Sequence, residues 1–185
     1  RLKEKLLSIK NISSVVSIVD VPLVQSSETS LTEMINNVPT ILSKDIDIGK
    51  AENEILASPI YKNLIISSDG TTTAIQINLK SNENLIALND QKRILTNKKI
   101  HNDISVEEEI ILAKVKQEYL EEKNSHNEDT HKLLKSVRLI QTQFSEKNNV
   151  ELRLGGIPMI ADDMIMYVKN DLINFGLGVF LFIVI

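Results

Sequence analysis

The sequence has no cysteine and no tryptophan, only six glycines, four prolines and three histidines, and aromatic residues make up 4% of it. Each shortage excludes something. Without cysteine there is no disulfide framework, no thiolate zinc site, no iron–sulfur cluster and no cysteine nucleophile. So few glycines and prolines exclude collagen-like and linker-like chains. A basic block is missing as well: Lys far outnumbers Arg, the formal net charge is −4 and the isoelectric point is near 5.5. Nucleic acid is therefore not an expected partner, because phosphate binding needs clustered Lys and Arg. What remains is ordinary globular material. With 42% hydrophobic and 25% charged residues over 185 positions, the chain can bury a core without covalent staples.

The two ends depart from that average. The sequence opens at Arg1 inside a helix-like stretch, as expected of a piece of a longer chain. At the other end, Leu172 to Ile185 (LINFGLGVFLFIVI) carries no charge and is almost wholly apolar. At about 1.5 Å per residue that run spans about 21 Å, short of the roughly 30 Å hydrocarbon core of a bilayer. A core helix of a soluble domain keeps a wet face, and this run has no polar residue after Asn174. The expectation is the beginning of a transmembrane helix, and its place in the chain excludes a signal peptide.

Between the ends the periodicity alternates. Leu2, Leu6 and Ile9 sit at helical spacing, and Ser13 to Val21 is rich in β-branched residues, which predicts a strand closed by Pro22. A short helix is expected near Leu31 to Ile35, and another over Ile48 to Leu56, stopping ahead of Pro59. Asn63 to Lys80 predicts a β-hairpin: Leu64 to Ser67, a turn at Asp69-Gly70, then Ile75, Ile77 and Leu79 alternating with polar residues. A short helix is expected at Leu88 to Leu95. Ser105-Val106-Glu107-Glu108 is a capping-box pattern opening a helix, Asn124 to Asn127 interrupts it, and Leu133, Val137, Ile140 and Phe144 continue the apolar seam. That predicts a helical hairpin or one bent helix. Val150 to Leu154 alternates as a strand, Gly155-Gly156 turns the chain, and Pro158 begins a helix running into the apolar end. The order implies an α+β domain of split β-α-β type lacking its first strand.

No constellation in this order predicts catalysis. Asp162, Asp163 and Asp171 are candidates for a proton relay, but the first two are expected to be solvated or helix-dipole charges, and Asp171 with Lys169 to mark a membrane interface. His126 and His131 near Glu128 and Asp129 superficially offer a metal set, yet their spacing fits a solvated helix connection better. His101 reads as a lone loop histidine, Glu107 to Glu109 with Lys114 and Lys116 as a charged helix face, and Thr71 to Thr73 as turn chemistry. A nucleophile elbow, a Ser/His/Asp arrangement and a dinucleotide fingerprint are missing from the sequence. The chain is expected not to be an enzyme and to need no cofactor or metal.

Three stretches, Ser17 to Ser26 (SIVDVPLVQS), Ser58 to Lys80 (SPIYKNLIISSDGTTTAIQINLK) and Leu154 to Gly176 (LGGIPMIADDMIMYVKNDLINFG), resemble the first extracytoplasmic domain of exporters of the RND superfamily, in the MMPL/Patched-like hydrophobe and amphiphile efflux branch. The resemblance covers nearly the whole chain and is most specific in its last stretch. It implies a ferredoxin-like porter domain over residues 1–157 with a helical insertion at about 105–146. A connecting helix at 158–171 and the start of the second transmembrane helix at 172–185 would follow. It also implies a multi-pass protein of the inner membrane that uses proton influx to export lipids or other hydrophobic or amphiphilic molecules. Self-association through the porter or membrane domains would be possible in such a protein. The proton-carrying residues of that family belong to later helices, so no motor residue is carried over. The alternatives are the extracytoplasmic sensor domain of a receptor or histidine kinase, and a soluble α+β domain whose apolar end docks in its own core.

Overall fold

The computed structural model describes residues 1–26, 38–44 and 46–184. The described chain is helix-rich and carries one small antiparallel sheet. In order it runs α1 (Leu2–Leu7), β1 (Ile12–Val16), a 3-10 turn (Ile18–Asp20), α2 (Ile48–Ala57), β2 (Gln76–Leu79), α3 (Glu83–Ile100), α4 (Val106–Asn148) and α5 (Ile157–Val184). The helix expected near Leu31 to Ile35 lies outside the described residues. Two compact units divide the chain, Lys3–Leu79 with Arg1 and Lys80–Ile185 with Leu2.

In the first unit β1 pairs antiparallel with β2, Val15 opposite Ile77 and Val16 opposite Gln76, with an irregularity between Ile12 and Ser14. The strand predicted to reach Val21 is shorter, for a local reason. Ser17 N and Oγ both donate to the Asp20 carboxylate, at 2.9 and 3.0 Å, and that capping box winds Ile18–Asp20 into a 3-10 turn. The predicted hairpin also changes form. Leu64 to Ser67 is no strand; Ile66 makes single bridges to Thr73 and Lys62, and β2 takes β1 as its ladder partner. The turn itself is as expected, with Gly70 at φ +72 and the Asp69 carboxylate accepting from Thr71 N at 3.2 Å and Thr71 Oγ1 at 2.9 Å.

The predicted helix at Ile48 to Leu56 spans Ile48–Ala57, capped by Asp47, whose Oδ1 accepts from Gly49 N and Lys50 N. Its inner face delivers Ala51 and Ile55 to a core with Val21, Leu23 and Ile66, edged by Ile18, Ile41, Ile46, Tyr61 and Ile65. On the same helix Glu54, three positions after Ala51, reaches the segment that follows Leu23. Its carboxylate accepts from the backbone N–H groups of Val24, Gln25 and Ser26, at 2.7 to 3.1 Å, and from the Ser26 hydroxyl. Partial burial pushes this carboxyl up, but the Ser26 hydroxyl and the three N–H groups outweigh it and hold Glu54 below the usual carboxylate range.

In the second unit α3 is far longer than the short helix expected at Leu88 to Leu95. Asn82 caps it by accepting from Leu85 N at 2.9 Å. The helix packs on α4, where Leu95, Leu112 and Val115 are buried and Lys92 Nζ lies 3.3 Å from the Tyr119 ring centroid. At the connection Lys98 pairs with Glu108 and Lys99 with Glu109, while Ser105 and Glu108 form the predicted capping box. Asn124 to Asn127 does not interrupt α4, which is a single helix of 43 residues. Asn, Ser and His each cost only about 0.5 kcal/mol in a helix, and neither Gly nor Pro is present to break it. Asn149, left-handed at φ +51, ends it. The strand predicted at Val150 to Leu154 is an irregular segment without a ladder partner among the described residues; the Gln141 amide donates to Leu152 O instead.

Candidate functional site

The chemistry of the second unit gathers where α4 meets the start of α5. Gly156, at φ +121, turns the chain into α5, a conformation that a side chain would strain. Pro158 lies in the first turn, where its missing N–H costs nothing. One turn further, Asp162 and Asp163 come around onto α4. His131 Nδ1 lies 2.9 Å from Asp162 Oδ1 and 3.1 Å from Oδ2, and Arg138 donates to Asp163 Oδ1 at 2.7 Å.

The four residues form a double clasp. His131 and Arg138 are seven positions apart, two helical turns, so both project from one face of α4. Asp162 and Asp163 are adjacent, and together they span that separation. The Asp162 side chain is only 11% exposed, against 33% for Asp163, so the imidazole meets the drier of the two carboxylates. These aspartates are therefore not the solvated or dipole-compensating charges that the sequence suggests. They lie beyond the first turn, and each has a specific cationic or proton-bearing partner.

Beyond the clasp α5 continues without a break. The boundary expected at 171/172, between a connecting helix and a membrane segment, is a change of side-chain chemistry inside one helix. Ile157–Ile183 is long and apolar enough to cross a membrane, with mean hydropathy 1.3 in its most apolar stretch and none of that stretch buried. Phe175, Phe180 and Phe182 all stand exposed on it, as do Lys169 and Asp171.

The remaining candidates are placed as follows. His126 is half-buried on α4 and Glu128 and Asp129 are exposed; Asp129 lies 3.8 Å from Lys132. Among the described residues no group of three or more His, Asp or Glu could hold a metal ion. His101 caps the end of α3, with Nδ1 2.8 Å from Asn97 O. Glu108 and Glu109 tie α4 to α3, and Glu107 faces solvent. Thr71 belongs to the Asp69 turn, and the Thr73 hydroxyl donates to Ile65 O at 2.9 Å. Sequence reasoning named His131, Asp162 and Asp163 separately and missed Arg138 altogether. The available signal was the two-turn spacing of His131 and Arg138 on one predicted helix, opposite an adjacent acidic pair at the start of the next. Compared with known proteins, the chain matches no protein-family model, no curated protein and no solved structure.

Proposed function

We propose that this chain is the extracytoplasmic porter portion of a multi-pass, proton-driven exporter of lipids or other hydrophobic or amphiphilic molecules. Its last residues would begin a membrane span. The observation that carries this is the continuity of α5: the segment clasped by His131 and Arg138 and the unburied apolar segment belong to one unbroken helix. A tilt or axial shift of the apolar part moves the clasped part with it, because helices transmit displacement along their axis. Such a lever does no chemistry, in keeping with a non-enzymatic role. The order is α1, β1, α2, β2 with the two strands antiparallel, so the middle of a β-α-β-β-α-β unit is matched only if α2 is an insertion between its two central strands.

The test uses the native protein that carries this chain, expressed in cells loaded with an amphiphilic fluorescent dye. Efflux that stops on adding a protonophore is expected, and weaker efflux when Asp162 and Asp163 are both changed to Asn. Absence of efflux, together with a phosphorylation response to an external ligand, would instead establish the sensor alternative.

A further inference from the structure

We propose that the outward face of α4, from Val106 to Glu128, joins two copies of this chain as a parallel, in-register helix pair. The inference concerns only how copies of the chain meet, so it stands or falls apart from the export proposal.

Toward α3, α4 presents Leu112, Val115 and Tyr119, spaced by three and four. A second stripe of the same spacing, Val106, Ile110, Ala113, Gln117, Leu120 and Asn124, lies about 150° around the helix from the first. All six residues are exposed, Val106 at 74%, Ile110 at 67% and Leu120 at 57%. To Glu128 the stripe runs for about three heptads, or about 33 Å. Taken alone it is too polar to name what covers it. Its flanks are more specific.

With Ile110 and Gln117 at the a positions and Ala113 and Leu120 at d, Glu109, Lys116 and Lys123 fall at g, and Lys114, Glu121 and Glu128 at e. In a parallel pair each g residue meets the e residue five positions later on the other helix. Glu109 of one copy then meets Lys114 of the other, Lys116 meets Glu121, and Lys123 meets Glu128, an opposite charge at every place on both sides of the seam. An antiparallel pair of similar overlap brings g to g and e to e, which sets Lys against Lys and Glu against Glu. Gln117 and Asn124 stand at a positions, where a polar side chain fixes register and number of strands at a cost in stability. Three of the charges have partners within one chain: Glu109 lies 2.7 Å from Lys99, Lys114 lies 3.7 Å from Glu118, and Glu121 accepts from Gln117 at 3.0 Å. These ties are exposed and worth little in water, so they exchange for partners across a seam.

Because the chain has no cysteine, single introduced cysteines report self-contact. In a parallel, in-register pair each d residue meets its own copy. Ala113→Cys and Leu120→Cys should therefore each form an interchain disulfide under mild oxidation of the whole chain in detergent, with the sedimenting mass of two chains. Ser125→Cys, exposed on the same helix about 100° away, should form roughly tenfold less. Reversing the g charges together (Glu109→Lys, Lys116→Glu, Lys123→Glu) should lower crosslinking at Leu120→Cys by roughly tenfold, as should reversing the e charges together (Lys114→Glu, Glu121→Lys, Glu128→Lys). Mixing the two reversed chains should restore it, because every g then meets an opposite e again. A monomer without crosslinks at Ala113→Cys or Leu120→Cys would overturn the proposal and leave the face to a different protein. Equal crosslinking at Ser125→Cys, or reversed chains that crosslink undiminished, would overturn it too. If a reversed chain fails to fold, the pattern at Ala113, Leu120 and Ser125 still decides.

Discussion

In the unit Lys3–Leu79, Leu23, Ile55 and Val21 are sealed at 0 to 2% exposure, whereas on α5 of the other unit Phe175, Ile183 and Phe182 stand 75 to 86% exposed. The residue types are alike and their surroundings are opposite. In the first unit the apolar side chains converge from α2, the Val21–Leu23 segment and Ile66, and their burial offsets the ordering of the loops around them. On α5 beyond Asn174 the apolar residues follow one another all round the helix, so no single apolar face is set apart for burial against a neighbour. A helix hydrophobic on every side belongs in a core or in lipid. The comparison teaches that hydrophobicity averaged over the chain mixes two settings of the same residues, one sealed in a core and one left unburied on a helix long and apolar enough to cross a membrane.

The largest test of this contrast is to cut the same kind of side chain in both places. Ile55→Ala should cost the first unit ~2–5 kcal/mol, because a filled core position becomes a cavity, read by denaturant unfolding and by hydrogen exchange in α2. Phe182→Ala should change the folded stability of the detergent-solubilised chain by less than ~0.5 kcal/mol. Equal losses at the two sites would erase the distinction. A charge reverses the ranking: Val179→Lys should weaken liposome partition by ~2.5–3.5 kcal/mol, measured by flotation, and leave unfolding of the first unit unchanged.

A smaller effect separates the polar ties of the two units. Glu54→Gln removes the carboxylate around which Val24, Gln25 and Ser26 wrap, and should cost ~1–3 kcal/mol in the first unit. The sign of its pH dependence follows from the direction of the shift. Because Glu54 titrates below the usual carboxylate range when folded, its contribution is present above that range and is lost as pH falls through its folded value. Stability of the wild-type first unit should therefore decline on acidification more than that of Glu54→Gln, in urea titrations stepped from neutral pH downward. Among the polar ties the smaller effect is at the α3–α4 connection, where Ser105→Ala should cost ~1 kcal/mol and speed hydrogen exchange only in the first turn of α4.

Local signals in the sequence reached as far as local chemistry does. The Asp47-capped helix, the Asp69-Gly70 turn, the Ser105/Glu108 capping box and the helix beginning at Pro158 all depend on residues a few positions apart, and each stands where the sequence places it. What was not legible depends on partners distant in the chain. Thr73 to Leu79 alternates correctly, but alternation does not say which strand lies alongside, and Ile12–Val16 is the partner in place of Leu64 to Ser67. The full length of α3 comes from its packing on α4, since Leu85, Leu88 and Leu95 alone make too sparse a stripe to announce 18 helical residues. The clasp was half legible for the same reason. His131 and Asp162 each look solvated in their own segments, and only the approach of α4 to α5 makes them partners.

The central proposal is that α5, long and apolar enough to cross a membrane, would lead the chain from water into lipid with the change at about Asp171. Single-cysteine variants at Lys62 and Phe180, labelled with an environment-sensitive fluorophore and reconstituted in liposomes, test it directly. The label at Phe180 is expected to be quenched by lipids brominated on their acyl chains and shielded from aqueous iodide, and the label at Lys62 to behave in the opposite way. Iodide quenching of both labels alike, with the chain remaining monodisperse in buffer without lipid or detergent, would contradict it.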